Sequence, residues 1–223
     1  MKKYLVFIIF GLFIILSLLF WILYYPKDKD PAPTVDEKTE VKEEIAEEKE
    51  TVVVEKKKEF FPPIENGENR VTKKPFGIFI TPLSSPVVNE KFTGFHTGTD
   101  FEVSIEEKDK EIVVRSICEG EILQVQEVSG YGGLIVQSCV INEEKVTVLY
   151  GHVNIESDNT TKIGDSIESG KEISILADEN SRLSGFERKH LHLGIHKGND
   201  IVYLGYVSSE SQLEDWINLE ELL

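Results

Sequence analysis

Four of the five histidines of this chain fall in short motifs that also hold an aspartate, a second histidine or a tyrosine. His96-Thr97-Gly98-Thr99-Asp100 sets a histidine and a carboxylate four apart. His190-Leu191-His192 sets two histidines two apart, and Tyr150-Gly151-His152 lies between them. Imidazole and carboxylate are the donors of catalytic zinc, which takes three protein ligands and leaves a fourth position to water. A zinc ion lowers the pKa of a coordinated water towards neutrality, so that the water can attack a carbonyl. The set implies a metallohydrolase.

The spacings constrain the elements that must carry them. Residues i and i+2 of a strand project from the same face, so His190 and His192 are expected side by side on one strand. Gly98 is expected to let the chain bend and bring His96 and Asp100 onto one ion. From about residue 76 the sequence reads as short strands with turn punctuation. The runs are Ile112–Cys118, Glu121–Val128, Leu134–Ile141, Lys145–Tyr150, Ile173–Leu176, His190–His196 and Ile201–Leu204. Ser129-Gly130-Tyr131-Gly132 and Asn142-Glu143-Glu144 read as tight turns between them. The fold class is all-β, an antiparallel sandwich or flattened barrel. Gln212 to Leu222 reads as a short C-terminal helix, with Leu213, Trp216, Ile217, Leu219 and Leu223 on one apolar face that braces the sheet.

In order and spacing these motifs resemble the lysostaphin/LytM-type zinc endopeptidases of bacterial cell walls. That family carries H-x-G-x-D, a Gly-Tyr-Gly turn, Y-x-H and H-L-H. Here they stand as His96 to Asp100, Gly130-Tyr131-Gly132-Gly133, Tyr150 to His152 and His190 to His192, and the resemblance spans roughly residues 76 to 205. It implies His96, Asp100 and His192 as ligands of one Zn2+. It implies His152 and His190 as the pair that moves protons and stabilises the oxyanion. The implied substrate is a peptide cross-link of peptidoglycan, and a regulatory envelope protein is a further partner of the kind the family offers. The turn element Ile163 to Gly170 also resembles a family feature.

Two departures border the expected cleft. After H-L-H the family has an aromatic and a Glu, where this chain has Leu193-Gly194-Ile195-His196. Before it the family has a stretch of small residues, where this chain has Ser184-Gly185-Phe186-Glu187-Arg188-Lys189. The alternative reading is a non-catalytic scaffold of the same fold that activates other wall enzymes. A degenerate scaffold is expected to lack one or more of the five residues, and all five are present. A phosphodiesterase-type hydrolase would need more carboxylate ligands than the motifs supply. His196 shares strand parity with His190 and His192 but lies four residues past the last ligand, so it reads as a rim or surface histidine. Tyr131 reads either as a groove residue or as a turn residue packed on a neighbour.

The rest of the chain sets the compartment. Tyr4 to Tyr25 carries no charge and spans roughly 33 Å as a helix, enough to cross a bilayer. No small-residue cleavage site follows it, and Trp21, Tyr24 and Tyr25 suit an interfacial belt. Residues 1–25 are therefore read as a transmembrane anchor, 26–60 as a charged disordered linker rich in Glu and Lys, and 61–223 as the metallopeptidase domain. A cell-wall substrate puts that domain outside the cell membrane. Cys118 and Cys139, the only cysteines, then read as a disulfide rather than two buried thiols. A net charge of −16 argues against nucleic acid as a partner. Protease added to intact spheroplasts is expected to shave off the domain and leave a membrane-embedded N-terminal fragment. A fully protected domain would contradict the outside orientation.

Overall fold

The computed structural model describes residues 60–222, so the anchor and nearly all of the linker read from the sequence lie outside the described residues. Among the described residues no helix is long and apolar enough to cross a membrane. The domain is built of eleven strands. They are β1 (Phe79–Ile80), β2 (Gly94–His96), β3 (Gly98–Glu102), β4 (Val113–Arg115), β5 (Gly120–Val128), β6 (Gly132–Ile141), β7 (Glu144–Gly151), β8 (Ser166–Ile167), β9 (Glu172–Ile175), β10 (His190–Lys197) and β11 (Tyr206–Val207). Six form the main antiparallel sheet, in the order β3-β10-β7-β6-β5-β8. A three-stranded sheet, β1-β2-β11, and a β4-β9 pair complete the fold. The expected all-β antiparallel class holds.

Alternation along the strands sorts the main sheet into two faces. Leu191, Leu193 and Ile195 of β10, Phe101 of β3, Val146, Val148 and Tyr150 of β7, and Ile135, Cys139 and Ile141 of β6 enter one large core. Val114 of β4 and Ile173 of β9 pack into the same core from the small two-stranded sheet. Each such side chain contributes roughly 1.5–3 kcal/mol when removed from water. The interleaved residues of β3 and β10, Asp100, Glu102, His190 and His192, point from the other face. The core periodicity therefore also sets the side of the sheet on which the polar groups stand.

The turns follow local chemistry. Asn142 and Glu143 join β6 to β7 with φ of 49° and 68°, the left-handed pair of a type I′ hairpin, whose twist matches its strands. The long β-run expected from Ile112 to Cys118 stops at Arg115, and Ser116 turns inward. Its hydroxyl donates to Gln137 Oε1 at 2.7 Å. Tyr150 donates to the same oxygen at 2.9 Å and accepts from the Ile117 amide at 3.1 Å. The tyrosine of Y-x-H thus satisfies a buried polar network in the core rather than facing the cleft.

Two expectations need correction. No strand forms over Ile201–Leu204. Tyr206–Val207 pairs instead with β2, and Tyr203 reaches across to Gln124 and Gln126. The C-terminal helix is replaced by two 3-10 turns, Glu210–Asp215 and Leu219–Glu221, with Trp216 extended between them. Tertiary pairing overrides local helix propensity there. Trp216 bridges to His196, and the Ile217 amide donates to Ile195 O at 2.9 Å. The segment still braces the sheet, with Trp216 and Leu219 buried.

Cys118 and Cys139 form a disulfide across 21 residues, with Cα atoms 6.1 Å apart. It fastens the β4–β5 connection to the C-terminal part of β6. Closing a loop of that length is worth about 3 kcal/mol in the chain-entropy picture. The Cys118→Ala/Cys139→Ala protein is expected to melt roughly 6–12 °C below the parent, and the unfolded, unreduced parent should show no free thiol. An unchanged melting temperature with titratable thiols in the parent would contradict the bond.

Candidate metal centre

The chain changes sheets at Thr97. β2 pairs with β1 and β11, and β3 pairs with β10. His96 ends one sheet and Asp100 stands in the middle of the next. Asp100 lies directly opposite His192, and Glu102 opposite His190. This register brings the three expected ligands together. His192 Nδ1 lies 3.0 Å from Asp100 Oδ1 and 3.0 Å from His96 Nε2, and His96 Nε2 lies 3.3 Å from the same carboxylate oxygen. All three residues are buried.

The role of Gly98 differs from the bend expected of it. An added Cβ would stand 2.5 Å from Leu193 O and 2.7 Å from the His192 ring. The residue is small because β10 and the imidazole press against it. Gly151 is similar, because a Cβ there would meet the Tyr131 ring at 2.6 Å. That ring stands edge-on to His192, with centroids 5.2 Å apart.

Backbone carbonyls set the imidazole tautomers, since a carbonyl can only accept. His96 Nδ1 donates to Pro75 O at 3.2 Å, leaving the Nε2 lone pair facing Asp100 and His192. His152 Nδ1 donates to Ser184 O at 2.9 Å, and His190 Nδ1 to Arg188 O at 2.8 Å. Both of these rings therefore offer Nε2 as an acceptor. They lie beside the triad with centroids 4.3 Å apart, and His190 Nε2 is 3.4 Å from Asp100 Oδ2. His152 holds a left-handed φ of 62°, a conformation that costs of order 1 kcal/mol or more in a non-glycine residue. The Tyr131 carbonyl and the Ala177 amide fix it on either side.

Burial shapes the charges. It pushes His152 down to about 3, with His192 adding to the effect, and holds His190 well below the ordinary imidazole value. Both are neutral at physiological pH. Burial alone would raise the Asp100 carboxyl. The surrounding imidazoles of His190, His96 and His192 more than offset it and hold the group well below the usual carboxylate range.

The triad fits a tetrahedral metal. Donors at about 2.0–2.1 Å from zinc lie about 3.3–3.4 Å apart from one another, within a few tenths of an ångström of the observed edges. Three acceptors facing one point repel one another unless a cation or protons lie between them. His192 Nε2, buried without a partner, carries the ring's hydrogen once Nδ1 serves as donor. His96, Asp100 and His192 are the residues that could hold the ion.

A cavity of about 290 Å³ opens on this centre. His152, His190, His192 and Asp100 form its floor, and Tyr131 and Tyr206 stand in its walls. The Tyr131 hydroxyl is buried without a partner. Tyr206 stacks on Phe92 and accepts from Lys74 Nζ at 2.9 Å, and Lys74 in turn pairs with buried Glu90 at 2.7 Å. Sequence reasoning singles out none of Lys74, Glu90 and Tyr206, because their contacts join distant segments and leave no spacing pattern. Arg188, visible in the sequence only as part of a divergent stretch, also lines the cavity. His196 stands apart from the cavity and packs edge-on against Trp216 at 4.9 Å.

Residues 94–203 match Peptidase family M23. No curated protein matches the sequence. Similar solved structures include LytU, at 17% identity and a TM-score of 0.44, covering 69% of this chain and 91% of that one. Lysostaphin from Staphylococcus simulans is similar at 20% identity and a TM-score of 0.43, covering 73% and 53%. A SpoIIIAH and SpoIIQ complex gives 15% identity and a TM-score of 0.48, covering 74% and 99%.

The Gly98→Ala protein tests the close approach. It is expected to lose roughly 1–3 kcal/mol through overpacking, seen as a lower thermal midpoint, and to bind divalent metal more weakly because the His192 ring must move. A midpoint and metal affinity equal to the parent's would show that the space is not needed.

Proposed function

We propose, from the match of residues 94–203 to Peptidase family M23, that the protein is a zinc metalloendopeptidase that hydrolyses peptide cross-links of bacterial peptidoglycan. The observation that carries the proposal is the convergence of His96 Nε2, Asp100 Oδ1 and His192 Nδ1 within 3.0–3.3 Å of one another, at the floor of an open cavity. Those three residues would hold the ion. A bound zinc supplies Lewis-acid activation of a water and of the scissile carbonyl.

The remaining groups handle protons. His152 and His190 reach the cleft neutral, each with Nδ1 committed to a backbone carbonyl and Nε2 free to accept. One of them takes the proton of the attacking water at Nε2. The resulting imidazolium can donate that hydrogen to the developing oxyanion or deliver it to the leaving amine. Burial disfavours the imidazolium form of both rings, which favours passing the proton on. The Tyr131 ring, edge-on to His192, forms part of the wall against which a peptide in the groove would lie. The same proposal sets the domain outside the membrane, tethered through Tyr4–Tyr25, a placement supported by the Cys118–Cys139 bond and by a substrate that lies in the wall.

Full-length protein in mild detergent is expected to contain about one zinc per chain and to release new peptide termini from purified peptidoglycan, read by mass spectrometry. The His152→Ala protein should keep its zinc and lose ~10²-fold or more in rate. The Asp100→Ala protein should lose the metal itself. Zinc-loaded parent protein that leaves peptidoglycan intact would overturn the catalytic reading, and wild-type rates for His152→Ala would remove that residue from the mechanism.

A further inference from the structure

Arg188 stands where the family carries small residues, and its side chain reaches into the metal centre. Nη2 donates to Asp100 Oδ2 at 2.8 Å, the carboxylate oxygen that faces away from His192. The same guanidinium is anchored on Glu102. Nε lies 2.9 and 3.0 Å from the two carboxylate oxygens, and Nη2 is 2.5 Å from one of them. Glu102 is two residues from Asp100 on β3, on the same face, and is held further by Lys73 at 3.3 Å. The arginine thus spans two successive site-facing carboxylates of one strand. Its fixed fork permits this, and a lysine could not reproduce it.

This arrangement divides the labour of Asp100. Oδ1 faces the imidazole nitrogens of His96 and His192, and Oδ2 faces Arg188. A carboxylate free to rotate could offer both oxygens to a metal, or crowd Oδ2 against the lone pair of His190 Nε2, which lies only 3.4 Å away. We propose that Arg188 is a positioning residue of the metal centre: its guanidinium, anchored on Glu102, holds the outer oxygen of Asp100 and keeps the inner one as a single, fixed donor. The proposal rests on the metal reading of the triad. Because Glu102 already balances its charge, Arg188 acts mainly through orientation rather than by repelling the ion. Outer hydrogen-bond partners of metal ligands typically contribute 10–100-fold in affinity.

The test uses the full-length chain in mild detergent, stripped of metal and titrated with zinc against a chromophoric chelator, then separately loaded with cobalt. A parent that binds neither ion would refute the metal reading itself, an outcome separable from failure of the Arg188 role. Given a parent that binds, Arg188→Met is expected to lose 10–100-fold in zinc affinity, with a lowered but still cooperative thermal melt because a buried ion-pair partner is gone. Its cobalt absorption should weaken in the visible, as Asp100 Oδ2 swings in and raises the coordination number. Arg188→Lys should recover only part of the affinity. Glu102→Gln, which loosens the anchor but leaves the arginine, should shift both readouts in the same direction by less. A folded Arg188→Met with parental zinc affinity and cobalt spectrum would overturn the proposal. If that variant fails to fold, parental values for Glu102→Gln would overturn it.

Discussion

Asp100 is a carboxylate taken almost wholly out of water, at 1% exposure, and the organisation of the site follows from how that charge is satisfied. An isolated buried carboxylate is strongly disfavoured. Here one oxygen faces two imidazoles and the other a guanidinium. Those partners arrive from three parts of the fold: the end of β2, the start of β10 and the loop before it. The centre therefore exists only when the two sheets that meet at Thr97 are both formed and the β3–β10 register is correct. A slip of one residue would turn His190 and His192 into the core and Leu191 and Leu193 into the cleft.

That dependence explains why so much of the core serves the site. Strand β10, between β3 and β7, presents Leu191, Leu193 and Ile195 to the large cluster and, alternately, two histidines to the cavity. Packing against Phe101 and Tyr150 fixes the strand, and the strand fixes the imidazoles. The tyrosine of Y-x-H works in the same way. Its hydroxyl holds the Ser116–Gln137 network, while His152, two residues on, turns to the cavity through a left-handed backbone anchored on both sides.

The five candidate residues that cluster here are legible in the sequence because their spacings are local: two positions along a strand, four across a sheet change, and a tyrosine two before a histidine. The strands with clear alternation are legible for the same reason. Contacts without local periodicity are hidden. Lys74 and Glu90 pair across a loop, and Tyr206 joins β2 from far along the chain. The C-terminal segment misleads because its apolar spacing fits a helix, while Trp216 gains more by lying extended against His196 and sending the next amide to Ile195. Gly98 matters through space rather than through a bend. Its backbone needs no unusual dihedral, and what it supplies is room for His192.

Everything proposed for this protein turns on a single ion between His96, Asp100 and His192. Diffraction from zinc-grown crystals, recorded on either side of the zinc absorption edge, locates such an ion without reference to activity. One anomalous peak is expected, at about 2.0–2.2 Å from His96 Nε2, Asp100 Oδ1 and His192 Nδ1. A map with no peak there, or with its peak on other residues, would contradict the metal centre.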